Sequence, residues 1–84
     1  MKFDLQWTLR LLDSLELYLK QDQRMMVRGT IQRVRETLET YGRTGRETSF
    51  ERLLFLEGNL SDKEKNIVVL QQLREDIQQT LNVL

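Results

Sequence analysis

The chain has no cysteine, no histidine, no proline and no alanine, and each absence excludes something. Without cysteine there can be no disulfide staple, and without cysteine or histidine no thiolate or imidazole metal site. General acid–base catalysis draws first on histidine, and a serine, threonine or tyrosine nucleophile needs a neighbouring base to take its proton. No histidine stands here to activate those hydroxyls. Missing proline leaves long periodic segments unbroken, as helices require. Missing alanine denies helices a close approach over small residues, so leucine, isoleucine and valine must fill the gaps. Glycine is scarce as well: the chain has 4, all between Gly29 and Gly58.

Long hydrophobic runs are also wanting. None approaches the roughly 18–20 residues that span a bilayer, and "MKFDLQWTLR" sets Asp4 and Arg10 among its apolar residues, unlike a signal peptide. The expectation is one helical domain over 1–84, cytoplasmic, with no cofactor and no membrane partner. A chain of 84 residues lies near the size at which a single core supplies only about 3–5 kcal/mol. Association with another chain is the natural extra support.

What is present is helical periodicity. From Lys2 to Gln21, Leu5, Leu9, Leu12 and Leu19 recur at helical spacing beside a stripe of Trp7, Leu11, Leu15 and Tyr18. The merged apolar arc covers roughly 200°, against the ~100° that a surface helix needs. Such a helix must meet two neighbours or more. Glu16 and Lys20 add an i,i+4 pair on its polar side. A second helix is predicted from Gln23 to Tyr41, with Val27, Ile31, Val34, Leu38 and Tyr41 in 4-3-4-3 spacing, a coiled-coil-like seam. Gly29 inside it either permits a close approach or weakens the helix by about 1 kcal/mol relative to alanine. The intervening "QDQR" has neither glycine nor proline, so a break and a kinked continuation both remain open.

Two capping boxes follow, Thr48-Ser49-Phe50-Glu51 and Ser61-Asp62-Lys63-Glu64, each with a hydroxyl at the N-cap and a carboxylate at N3. They predict a third helix over Ser49–Glu57, ended by a left-handed cap at Gly58-Asn59, and a fourth over Asp62–Leu84. The third is apolar nearly all round, at Phe50, Leu53, Leu54, Phe55 and Leu56. The fourth turns Ile67, Leu70, Leu73, Ile77, Leu81 and Leu84 inward, and its closing "LNVL" reads as packed. Together these predict an all-α bundle of three to four helices with mostly antiparallel neighbours, completed where necessary by oligomerisation.

Charge is balanced overall and uneven along the chain. Residues 24–52 hold seven arginines against four glutamates, a net +3, between flanks of −1 and −2. Arginine suits planar contact with phosphate or carboxylate, so Arg24, Arg28 and Arg35 on one flank of the second helix form a candidate row. Arg43 and Arg46 extend it into "YGRTGRE". Gly42-Arg43-Thr44-Gly45 matches the G-x-x-G pattern with which KH domains clamp a nucleic-acid backbone. A KH domain needs a sheet, though, and no strand pattern flanks this loop; the P-loop ending is missing too. The plain reading is a polar turn. The plain reading of the row is a solvated face, with Arg35 paired to Glu39. A helix-turn-helix is disfavoured, because "SFERLLFLE" would offer leucines and phenylalanines to base edges.

Carboxylate pairs at Asp13/Glu16, Glu36/Glu39 and Glu47/Glu51 read as solvated acids, and the Glu-x-x-His of di-metal bundles is absent. Met25-Met26 reads as one core residue beside one exposed residue. Trp7, Leu11, Tyr18, Phe50 and Phe55 are the candidate protein interface. The leading expectation is a non-enzymatic interaction or adaptor subunit that completes its excess apolar surface, on helix one and around Phe50–Leu56, against another protein chain, itself or a larger complex. The alternative is a small subunit of a nucleoprotein complex, touching backbone phosphates through the five arginines. Small helical subunits of CRISPR interference complexes look similar in size and class, without a shared motif. A phage or mobile-element inhibitor that masks a host protein is a second alternative.

Overall fold

Helix α1 occupies Lys2–Lys20 because its leucines form one broad apolar side, and Leu5, Leu11, Leu12, Leu15 and Leu19 are all buried. The computed structural model describes residues 2–83, with side chains from Asp4 to Val83. The "QDQR" segment is a true break. Asp22 takes a left-handed φ of 57°. Around it, the Gln23 N–H bonds the Tyr18 carbonyl at 3.1 Å and the Asp22 N–H bonds the Leu19 carbonyl at 3.3 Å. This is a Schellman closure with aspartate in the place usually taken by glycine. Aspartate is among the few side chains that visit this region, and its carboxylate lies 2.7 Å from Lys63.

Helix α2, Arg24–Tyr41, buries Val27, Ile31, Val34 and Leu38 along the expected seam, with Tyr41 half-buried at its end. Gly29 makes no close approach: a Cβ there would meet nothing within 4 Å. It is therefore a weak point and not a packing device.

Helix α3, Glu47–Gly58, starts earlier than its predicted box. Thr48 lies inside the helix and is exposed, the N-cap is Arg46, and no side chain caps it. The left-handed stop is also corrected. Gly58 is the last helical residue, and Asn59 has a φ of −131° while its amide donates back to the Phe55 carbonyl at 2.9 Å. Helix α4, Lys63–Asn82, is capped by Asp62 and not by Ser61, with the Asp62 carboxylate accepting from the Lys65 N–H at 3.2 Å.

Helix α1 packs on α2 and α4, and α3 also packs on α2 and α4, while the diagonal pairs stay apart among the described residues. The result is a ring of four helices around one leucine-rich core, 34 × 18 × 18 Å overall. From α4, Leu70, Leu73 and Ile77 are buried, Ile67 and Leu81 partly so, and Leu84 lies outside the described residues. Val83 is exposed, so the expected packing of "LNVL" stops at Leu81. Asn66 is fully buried and donates to the Asn59 carbonyl at 2.6 Å, which fixes the turn between α3 and α4.

Two substitutions test this account. Gly29→Ala should raise the free energy of unfolding by about 0.5–1 kcal/mol, because helix propensity improves and nothing obstructs the new methyl. Asn66→Ala should lower it by about 1–3 kcal/mol through the lost buried hydrogen bond. Denaturant unfolding followed by circular dichroism measures both.

Candidate interaction face

The arginines are largely committed within the chain. Arg46 lies over the Tyr41 ring at 3.8 Å and donates to the carbonyls of Gly42 at 3.0 Å and Thr44 at 2.8 Å. Gly42 and Gly45 carry positive φ values of 125° and 82°, which let the loop curl around that guanidinium. Arg43 lies 4.3 Å over the Phe50 ring and 2.6 Å from Glu39. The glycine–arginine loop is thus a turn built around its own side chains. It borders an open depression of about 370 Å³ that Arg46 shares with Thr48, Ser49 and Asp76.

The expected Arg35–Glu39 pair is replaced by Arg35–Glu57 at 2.6 Å, which ties α2 to α3. Its hydrogen bond to Glu57 holds the Arg35 guanidinium above its ordinary, already strongly alkaline pKa, against the opposing pull of partial burial. Because the folded value is the raised one, this contribution is complete below the ordinary pKa and is lost only as pH rises past the folded value. Arg52 pairs with Asp76 between α3 and α4, and Arg74 with Asp13 and Glu16 between α4 and α1. The Glu16–Lys20 pair forms at 3.1 Å. Of the candidate row, Arg24 and Arg28 are exposed and make no ion pair among the described residues. Three of the five proposed phosphate contacts therefore have other partners, and the row is not a continuous free surface.

The five candidate interface residues separate. Leu11 is in the core and unavailable to a partner. Trp7 is 43% exposed, while Tyr18, Phe50 and Phe55 are half-buried. Met25 and Met26 are both exposed, against the expectation that one would be core. The sequence places excess apolar surface around Phe50–Leu56 without singling out Leu54, which is 66% exposed on α3, and gives no place to Val68, 57% exposed on α4. Val68 interrupts the polar outer side of α4, a signal that was there to be read. Leu54 was hidden by its neighbours, since every residue from Leu53 to Leu56 is apolar and only the ring decides which faces out.

Around these two side chains the surface is concave. A depression of about 440 Å³ between α3 and α4 is lined by Phe55, Val68, Val69, Glu64, Lys65 and Gln72. Another of about 470 Å³ lies between α2 and α3, lined by Phe50, Glu51, Leu54 and the Arg35–Glu57 pair, with Arg43 at its edge. Leu54 and Phe55 are consecutive, so the two depressions lie on either side of α3. On the α1/α2 side, Met25 at 87% exposed and Met26 line a third depression of about 230 Å³ with Gly29, Thr30 and Arg33, while Trp7 and Leu17 stand about 15 Å apart along α1. Among the described residues, no group of three or more acidic side chains gathers as a metal site would require. No protein-family model matches the chain, and no curated protein or solved structure does either.

The different duties of the arginines can be measured. Arg35→Ala should destabilise the fold by about 1 kcal/mol by parting α2 from α3, whereas Arg24→Ala and Arg28→Ala should each stay within about 0.5 kcal/mol of the parent in thermal unfolding.

Proposed function

We propose that this chain is a non-enzymatic helical interaction or adaptor subunit that completes its apolar surface against another protein chain. The observation that carries the reading is large apolar side chains more than half exposed on either side of α3, Leu54 beside Phe50 toward α2 and Val68 beside Phe55 and Val69 toward α4. Exposed large apolar side chains beside concave surface with a polar rim are what partner-binding faces present. Catalysis finds less support, since Asp13, Glu16, Glu57 and Asp76 serve as partners of arginines. No described helix is long and apolar enough to cross a membrane, and a cytoplasmic setting belongs to the same proposal on the strength of the missing cysteine.

Neighbouring helices are taken to run antiparallel. Cross-links that step in opposite senses support this: Asp13 with Arg74 but Glu16 with Gln71, and Arg52 with Asp76 but Asn59 with Asn66. A nucleoprotein role would rest on Arg24 and Arg28 after Arg35, Arg43 and Arg46 are discounted, and no observation favours it over the apolar face. An inhibitor that masks a host protein would use this same face, and the identity of the bound chain separates that case.

The reading is tested by affinity capture from the native cells with the parent chain and with Leu54→Glu/Val68→Glu, both checked for helical content. The parent should retain a stoichiometric protein partner that the double variant loses. Retention of the same partner by both would remove the Leu54 and Val68 surface flanking α3 from the account, and a parent that holds no chain and never self-associates would end it.

A further inference from the structure

We propose that the exposed side of α2 around Gly29 docks an acidic amphipathic helix of a partner chain, with an apolar side chain over the glycine and carboxylates on Arg24, Arg28 and Arg33. This rests on the reading of the chain as an interaction subunit and adds a contact on a second helix. Met25, Gly29 and Arg33 form one i,i+4 row, with Arg24 and Arg28 in the row beside it. Met25 and Met26 are both exposed. With Thr30 and Arg33 they border the depression of about 230 Å³, whose floor is the bare backbone of Gly29. A Cβ there would meet nothing within 4 Å, so no side chain of this chain uses the space. Met25 and Arg33 stand about 12 Å apart along the axis, and a helix is about 10–12 Å wide. A helix crossing over Gly29 is therefore held between them, and methionine adapts to the side chain it receives.

Charge names the partner. From Gln23 to Arg35 the chain has no acidic residue. Arg35 goes to Glu57, while Arg24, Arg28 and Arg33 are exposed and make no ion pair among the described residues. The N-terminus of α2 has no acid in its first turn and no side-chain cap, so its dipole adds to the same positive field. The other depressions carry both signs. Glu64 and Lys65 line the one between α3 and α4, Arg35 and Glu57 the one between α2 and α3, and Arg46 and Asp76 the one beside the glycine–arginine loop. Arg33 is the one charged residue lining the α2 depression. A surface of one sign around exposed thioethers is complementary to carboxylates around an apolar side chain. A polynucleotide backbone would meet the arginines but set phosphates against Met25 and Met26, and a flat lipid surface would not reach the glycine floor.

Size sets the strength. One crossing helix covers less area than a standard interface, so binding should be micromolar or weaker and should fall as salt rises. A leucine at the crossing point with glutamates one turn to either side is the minimal form of such a helix, since residues four apart share a face.

Fluorescence anisotropy of a labelled synthetic helix titrated with the full chain provides the test. The helix has leucines along one side and glutamates flanking them, and its control has lysine for every glutamate. Circular dichroism verifies that each variant folds. The acidic peptide should bind and the lysine peptide should not. Arg24→Glu, Arg28→Glu and Arg33→Glu should each weaken binding by about tenfold. Gly29→Gln should also weaken it by about tenfold by filling the notch, while leaving the fold at least as stable. Leu54→Glu/Val68→Glu should leave the affinity unchanged. An acidic peptide that does not bind, or binding indifferent to the arginine reversals or to Gly29→Gln, overturns the proposal. So does tighter binding of single-stranded DNA or of phosphatidylglycerol vesicles through the same arginines, or dimerisation of the parent chain through them. Peptide binding lost with Leu54→Glu/Val68→Glu alone overturns the α2 surface and leaves the interaction reading standing.

Discussion

Twelve residues of α3 cannot hide five large apolar side chains in a ring where each helix has two neighbours. That constraint shapes the molecule. Leu53 and Leu56 reach the core, Phe50 and Phe55 wedge into the clefts toward α2 and α4, and Leu54 is left on the crest. A longer α3 could have alternated its apolar positions with polar ones. This one is too short and too apolar to keep its outer side wet. Burying a leucine is worth about 1.5–3 kcal/mol, so an exposed Leu54 beside Phe50 and Phe55 is a standing incentive for contact.

The arginines work on a smaller scale. A surface ion pair contributes about 0–1 kcal/mol, less than a single core leucine, so Arg35, Arg52 and Arg74 do not hold the bundle together. They close the rims of three of its four helix contacts, each bridging a different pair. In doing so they remove positive charge from the surface. A segment whose composition points to phosphate recognition becomes, once folded, a set of clamps at Arg35, Arg43, Arg46 and Arg52, with Arg24, Arg28 and Arg33 exposed and unpaired among the described residues.

The connections rely on side-chain and backbone chemistry outside the usual turn vocabulary. Asp22 reverses the chain without glycine, Arg46 anchors its loop by stacking on Tyr41 and bonding carbonyls, and the buried Asn66 reaches the carbonyl of Asn59. At Asp22 and Arg46 the backbone itself, or a group several residues away, replaces a local cap, and Asn66 reinforces the local Asp62 cap of α4. Composition and spacing carry no trace of such partnerships.

The sequence by itself determined the four helices, most of their limits and most of the core. Those follow from the 3.6-residue period of Leu5 to Leu19, Val27 to Leu38 and Leu70 to Ile77, which acts locally along the chain. The tertiary structure decided what local periodicity cannot contain. It chose Leu54 over Leu53 as the residue left outside, placed Leu11 within, moved the helix starts to Glu47 and Lys63, and gave Arg35 to Glu57 instead of Glu39. An apolar run has no preferred side until neighbours cover part of its circumference, and an arginine has no partner until another helix brings a carboxylate within reach.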